Sequence, residues 1–149
     1  MYNNMRVQKR NGTFEEVSFD KILKRIRSLC NGEEFSSVLK IDPTVIAQKV
    51  CSEIYEGVKT SKLDELSSQI AISLYSKNPE YATLASRIVV SDHHKSTKSS
   101  FSDVISDLYE NKVINKYLYE LVVDNKNKIE QEISLRKDYD IDFFGFKTL

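Results

Sequence analysis

Both prolines of this chain stand directly behind a helix-capping residue, as Asp42-Pro43 and Asn78-Pro79. Proline fixes φ at roughly −65° and lacks an N–H, so it suits the first helical position and is costly inside a helix. An Asp or Asn just before it can accept one of the N–H groups left free at a helix start. The other breakers are four glycines, Gly12, Gly32, Gly57 and Gly145. Six breakers in 149 residues leave long runs that carry apolar residues at helical spacing. This pattern disfavours an all-β sandwich and disorder. It predicts a mainly helical chain, punctuated at these points.

The opening segment reads differently. Met5-Arg6-Val7-Gln8-Lys9-Arg10 alternates loosely, Asn11-Gly12 follows, and Thr13-Phe14-Glu15-Glu16-Val17 is strand-like. Asn-Gly between two such runs predicts a β-hairpin with a type I′ turn, in which both residues take positive φ. Ser18 or Asp20 then caps a helix running to Cys30, with Ile22, Ile26 and Leu29 as its apolar stripe and Asn31-Gly32 as its stop.

A second helix starts at Pro43, carries the rows Ile46-Val50-Ile54-Val58 and Ala47-Cys51-Tyr55, and is expected to end at Gly57. Thr60-Ser61 caps a third, with Ser61 and Asp64 at capping-box spacing and Leu63, Leu66, Ile70 and Leu74 facing inward. A fourth begins at Pro79 and buries Tyr81, Leu84, Ala85, Ile88 and Val89. The fold class expected is α+β, predominantly helical, with four helices behind one hairpin over residues 5–98.

Beyond the polar run Ser96-Thr97-Lys98-Ser99-Ser100, two more stripes follow: Phe101, Val104, Ile105, Leu108, then Ile114, Tyr117, Leu118, Leu121, Val122. The aromatic end Ile141-Asp142-Phe143-Phe144-Gly145-Phe146 reads as the opening of a further body.

Charge narrows the partners. There are 22 basic and 22 acidic residues, so the chain has no global field to coat nucleic acid or an acidic membrane. The balance is uneven along the chain. Residues 1–30 hold seven basic against three acidic residues, and residues 67–98 hold four against two; the stretches between and after them are each net −3. If folding brings the two basic segments together, they form one local anion site. Cys30 and Cys51 lie in apolar helical patterns, as reduced thiols of a cytoplasmic protein would. No stretch reaches a membrane span, and Met1-Tyr2-Asn3-Asn4-Met5 has no signal-peptide core.

The usual catalytic signatures are missing. The chain has no Gly-rich phosphate loop, no Gly-x-Ser-x-Gly elbow and no cysteine in a polar context. His93 and His94 are adjacent, about 100° apart around a helix, and cannot both reach one metal ion. The basic residues Lys9, Arg10, Lys21, Lys24, Arg25 and Arg27 read as a solvated face, or, where a hairpin overlies a helix start, Lys9 and Lys21 together with backbone N–H groups can seat a phosphate.

The order of segments resembles the ATP-cone, the regulatory nucleotide-binding domain of ribonucleotide reductases. The resemblance is carried by Lys9-Arg10-Asn11-Gly12 with Val17-Ser18-Phe19-Asp20-Lys21-Ile22, and by Gly57 through Asp64. It continues in Pro79-Glu80-Tyr81-Ala82, in Ala85 through Ser91 and in His94-Lys95. Phe101-Ser102-Asp103-Val104, Asp107-Leu108-Tyr109 and Phe143 through Leu149 are similar to the class I large subunit of eukaryotic and viral type.

The resemblance implies a four-helix cone capped by a small sheet over residues 1–98, followed over residues 99–149 by a helical segment leading into a catalytic barrel. It implies ATP as activating and dATP as inhibiting effector, with Mg2+. By motif position the nucleotide contacts would be Lys9, Arg10, Glu15, Glu16, Val17, Ser18, Phe19, Asp20, Lys21, Thr60, Asp64 and Lys95. Partners so implied are the rest of a reductase large subunit, the small radical-generating subunit and other cones. The catalytic cysteines of such enzymes have no counterpart here, since Cys30 and Cys51 sit in cone helices. By itself this chain is expected not to catalyse. The alternative is a helical interaction module that no longer binds nucleotide. A zinc-ribbon repressor is disfavoured because no four-cysteine set precedes the cone.

Overall fold

A computed structural model describes residues 5–149, so the reading of residues 1–4 lies outside the described residues. Strands β1 (Arg6–Gln8) and β2 (Phe14–Glu16) form the expected antiparallel hairpin, with Val7 opposite Glu15. Helix α1 spans Phe19–Asn31 and α2 spans Pro43–Glu53. A short strand β3 (Val58–Lys59) follows, then α3 (Thr60–Ser73) and α4 (Glu80–Ser96). The remaining helices among the described residues are α5 (Phe101–Glu110), α6 (Lys116–Asp124), α7 (Lys126–Glu132) and α8 (Phe143–Thr148), with a 3-10 segment at Leu135–Asp140 before α8. The predominantly helical α+β class is borne out.

The core lies where α1 to α4 meet. Ile26, Leu29, Ile46, Val50, Leu84, Ile88 and Val90 are almost fully buried there. The helices contribute most of the stripes that their spacing predicts, but the α2 rows break off at Glu53: Val58 is buried from a strand and Tyr55 is exposed. Pro43 opens α2 with the Asp42 side chain accepting from Thr44 N at 2.8 Å, and Asn78 Oδ1 accepts from Glu80 N at 2.9 Å at the start of α4.

Four local expectations are corrected. The hairpin turn is not type I′, because only Gly12 has positive φ, at 83°. Asn11 keeps negative φ, and its Oδ1 accepts from the Thr13 N–H and hydroxyl. Helix α2 stops at Glu53, short of Gly57. Gly57, at φ 78°, instead turns the chain so that Val58 and Lys59 pair in parallel with Val7 and Gln8, giving the sheet order β2-β1-β3. Two residues are too short a strand for periodicity to reveal.

No side chain caps the start of α3, so the expected Thr60-Ser61 cap and the Ser61–Asp64 box do not form. Asp64 turns inward instead, to three cations. At the start of α1 the chain does turn at Ser18, but neither its side chain nor that of Asp20 makes the capping bond. Ser18 O accepts from Lys21 N and Ile22 N.

The C-terminal part divides in two. Helices α5, α6 and α7 pack on one another, and the α6 stripe stays largely outside, with Tyr117, Leu118 and Leu121 exposed and Val122 buried. The 3-10 segment and α8 return to α4, where Phe143 joins the core formed by α1 to α4. Among the described residues, no helix is long and apolar enough to cross a membrane.

Candidate functional site

Helix α1 presents two different faces. Ile22, Ile26 and Leu29 turn into the bundle, while Lys21 and Arg25, one turn apart, border the hairpin. A cleft of about 220 Å³ opens there, between the hairpin, the first turns of α1 and α3, and the end of α4. Val7, Ile22, Ile26 and Leu63 give it an apolar floor. Charged side chains from four elements form its walls.

Of the twelve sequence-predicted residues, ten line this cleft: Lys9, Arg10, Glu15, Glu16, Val17, Ser18, Lys21, Thr60, Asp64 and Lys95. Folding therefore brings the two basic segments of the sequence to one place. Phe19 and Asp20 are not among the lining residues. Both are exposed in the first turn of α1, on sides of the helix away from Lys21 and Arg25. Phe19 borders a separate groove that includes Met5, Gln48, Cys51 and Ile54.

Asp64 anchors one wall. Its side chain is only 10% exposed. Lys95 Nζ donates to Asp64 Oδ2 at 3.3 Å, Arg25 reaches both carboxylate oxygens at 3.4 Å, and Arg10 NH2 lies 3.8 Å from Oδ2. A buried carboxylate is tolerable because these cations compensate it, and in turn it fixes them in position. Arg25 also donates to Ser91 Oγ at 2.9 Å, and Arg10 pairs with Asp92.

Burial lowers the Lys95 ammonium below its usual range; Asp64 opposes that, and Arg25 and Arg10 add to it. Burial, and then the nearby Asp64 charge, raise the Asp92 carboxyl, against the pull of Arg10. On the hairpin side, Glu15 pairs with both Lys9 and Lys21. Thr60 opens α3, whose first N–H groups no side chain caps. They stand beside the cleft with the positive end of the helix dipole.

Sequence reasoning passed over Arg25 as a site residue. Its signal was present, since it lies four residues after Lys21 on the same helix face. Asp92, which holds Arg10, gave no such signal, because its role depends on α4 crossing the hairpin turn. The adjacent histidines serve separate contacts. His94 Nε2 lies 2.7 Å from Asp138 Oδ2, and the His93 ring meets Phe146 edge-on at 5.5 Å.

The cleft can take a ligand with an apolar flat part for its floor and several negative charges for its rim. Comparison with known proteins bears on that ligand. Residues 5–96 match the family profile of the ATP cone domain. Over 97% of its length the chain is 41% identical to the ribonucleoside-diphosphate reductase large subunit of Arabidopsis thaliana, and it covers 18% of that protein. The large subunit of Dictyostelium discoideum is 42% identical over 99% of the chain and 18% of the relative. That of Vaccinia virus (strain Copenhagen) is 42% identical over 97% of the chain and 20% of the relative. The chain thus spans about a fifth of the length of these relatives.

Proposed function

This chain belongs to the ATP-cone family, and from that membership we propose that it is an allosteric sensor of adenine nucleotides, ATP and dATP, for a ribonucleoside-diphosphate reductase. One observation carries the reading: Lys9, Arg10, Lys21, Arg25 and Lys95 converge on a single cleft with an apolar floor. Such a cleft suits a purine on Val7, Ile22, Ile26 and Leu63, with the triphosphate at the cationic rim.

In this reading Lys9, Arg10, Lys21 and Lys95 bind phosphate oxygens, and the Thr60 hydroxyl and the α3 N–H groups add neutral donors. Asp64 acts by holding Arg10, Arg25 and Lys95 in a fixed array. Glu16, Val17 and Ser18 line the entrance from the strand side. Among the described residues no group of three His, Cys, Asp or Glu side chains could hold a metal ion. Mg2+ would therefore travel on the nucleotide's phosphates.

The proposal divides the chain into a sensing unit over residues 1–98 and a helical connection over residues 99–149 to a reductase large subunit, with the small subunit and other cones as further partners. It assigns this chain regulation, not catalysis, in deoxyribonucleotide synthesis ahead of DNA replication, in the cytoplasm. A ligand shifts an assembly only through unequal affinity for its two states. The surface expected to change with ATP or dATP is accordingly that of the elements bordering the cleft, the hairpin, α1, α3 and the end of α4. Isothermal calorimetry of the purified chain with ATP, dATP and GTP tests the sensor. Adenine nucleotides bind if the reading holds; no heat at millimolar adenine nucleotide would sink it.

A further inference from the structure

Glu15 sits on β2 between two lysines that come from different elements. Its Oε2 pairs with Lys9 at the hairpin turn, and its Oε1 pairs with Lys21 in the first turn of α1. Both carboxylate oxygens are thereby engaged. The carboxylate is 28% exposed, while the lysines are 48% and 63% exposed, so both ammonium groups reach inward from the rim to an anion seated deeper. Asp64, on the facing wall, is a different kind of anion. It is more deeply buried, shared among three cations, and fixed on α3.

We propose that Glu15 is the cleft's own competitor for a polyphosphate: its carboxylate holds the seat between Lys9 and Lys21 and leaves it when phosphate oxygens take those two ammonium groups. The proposal rests on the polyphosphate part of the reading above and not on the purine. Around a tetrahedral ammonium, a phosphate oxygen bonded to either lysine stands roughly 4.7 Å from a carboxylate oxygen still bonded to the same group. Like charges at that range, at a partly shielded site, repel. Exchange removes the repulsion and keeps both lysines paired in both states. The released carboxylate lies near enough to the rim to reach water. A ligand must then bring enough negative charge to outbid one bridging carboxylate, which favours triphosphates over monophosphates.

The test is calorimetric titration of wild type and Glu15→Gln with ATP and with inorganic tripolyphosphate. Glu15→Gln keeps the side-chain shape and removes the charge. It should tighten both ligands by roughly three- to tenfold, the scale of one or two part-exposed ion pairs. In a Lys21→Ala background, where no bridge exists to break, the gain from Glu15→Gln should shrink. Glu15→Asp, one methylene too short to span both ammonium groups, should tighten tripolyphosphate in the same direction and keeps the test available if Glu15→Gln misfolds.

If wild type binds ATP and Glu15→Gln binds it equally or more weakly, Glu15 is a ligand contact or a bystander and the proposal falls, while the sensor reading stands. An undiminished gain in the Lys21→Ala background also overturns it, because the effect then comes from overall charge and not from the bridge. If tripolyphosphate binds and ATP does not, the adenine reading fails and the Glu15 proposal is judged on tripolyphosphate alone. If neither ligand binds any of these proteins, both fall.

Discussion

Lys95 Nζ lies 3.3 Å from Asp64 Oδ2, tying the last turns of α4 to the second turn of α3 across the wall of the cleft. Because Arg25 and Arg10 share the same carboxylate, one buried anion holds cations from α4, α1 and the hairpin turn. The four elements that build the cleft are thus joined at a single side chain.

Replacing that anion should loosen the whole array. Asp64→Asn keeps the shape but leaves Arg10, Arg25 and Lys95 crowded without compensation. We expect a stability loss of about 1–3 kcal/mol, discounted from fully buried pairs because the cations are partly exposed. Urea denaturation measures it. Unchanged stability would mean that the three cations do not depend on Asp64.

Arg87 is a second buried charge with a different task. It donates to Leu29 O at 3.0 Å, Cys30 O at 3.1 Å and Ser37 O at 2.8 Å, and its guanidinium lies over the Phe35 ring at 4.1 Å. Leu29 O and Cys30 O lie in the last turn of α1, where helix geometry leaves carbonyls without intrahelical partners, and Ser37 O belongs to the loop that follows; Cys30 O also accepts from Leu39 N. Arg87→Met should cost about 3 kcal/mol or more, because it strands Leu29 O and Ser37 O at once and empties the space over Phe35. Arg87→Lys should recover only part, since an ammonium lacks the planar fork. Chemical denaturation of both variants checks the order.

The cysteines should react in sequence. Burial pushes the Cys30 thiol up to about 11, and burial also raises that of half-buried Cys51. Thiolate is the reactive form, so both are slow near neutral pH. An aromatic disulfide reagent at pH 8 should modify Cys51 first, and Cys30 only on unfolding. Rapid native labelling of Cys30 would contradict the packing of α1.

How much was readable beforehand depended on how local each cause was. The starts of α2 and α4 were legible in Asp42-Pro43 and Asn78-Pro79, because a cap and a proline act within one turn. The core stripes were legible for the same reason. The strand Val58–Lys59 was not, since it exists only because β1 offers a parallel edge. Gly32 does follow the last residue of α1, but at φ −62°, a conformation open to any residue. A Cβ there would stand 2.7 Å from Ser28 O, so the position needs glycine for closeness and not for handedness. The resemblance located ten cleft residues but also carried Phe19 and Asp20, whose positions on α1 turn them away. Arg25 needed only a count of four from Lys21. Asp92 needed the fold.

Phosphate contacts should be separable from the scaffold. Lys9→Ala and Lys95→Ala should each weaken ATP binding by about 1–3 kcal/mol, the loss of charge-assisted hydrogen bonds. Lys9, at the rim, should do so with little change in stability. Lys95, bonded to Asp64, should affect both. Calorimetry and thermal melts on the same samples separate the two. Wild-type affinity in both variants would move the nucleotide out of this cleft.

The central claim is that five converging cations over an apolar floor make an adenine-nucleotide sensor. Calorimetric titration of the purified chain with ATP, dATP and GTP addresses it most directly. The account predicts saturable binding of ATP and dATP that is lost in Lys9→Ala/Lys95→Ala, with GTP weaker. Absence of adenine-nucleotide binding at millimolar ligand, or equal binding by the double variant, would contradict it.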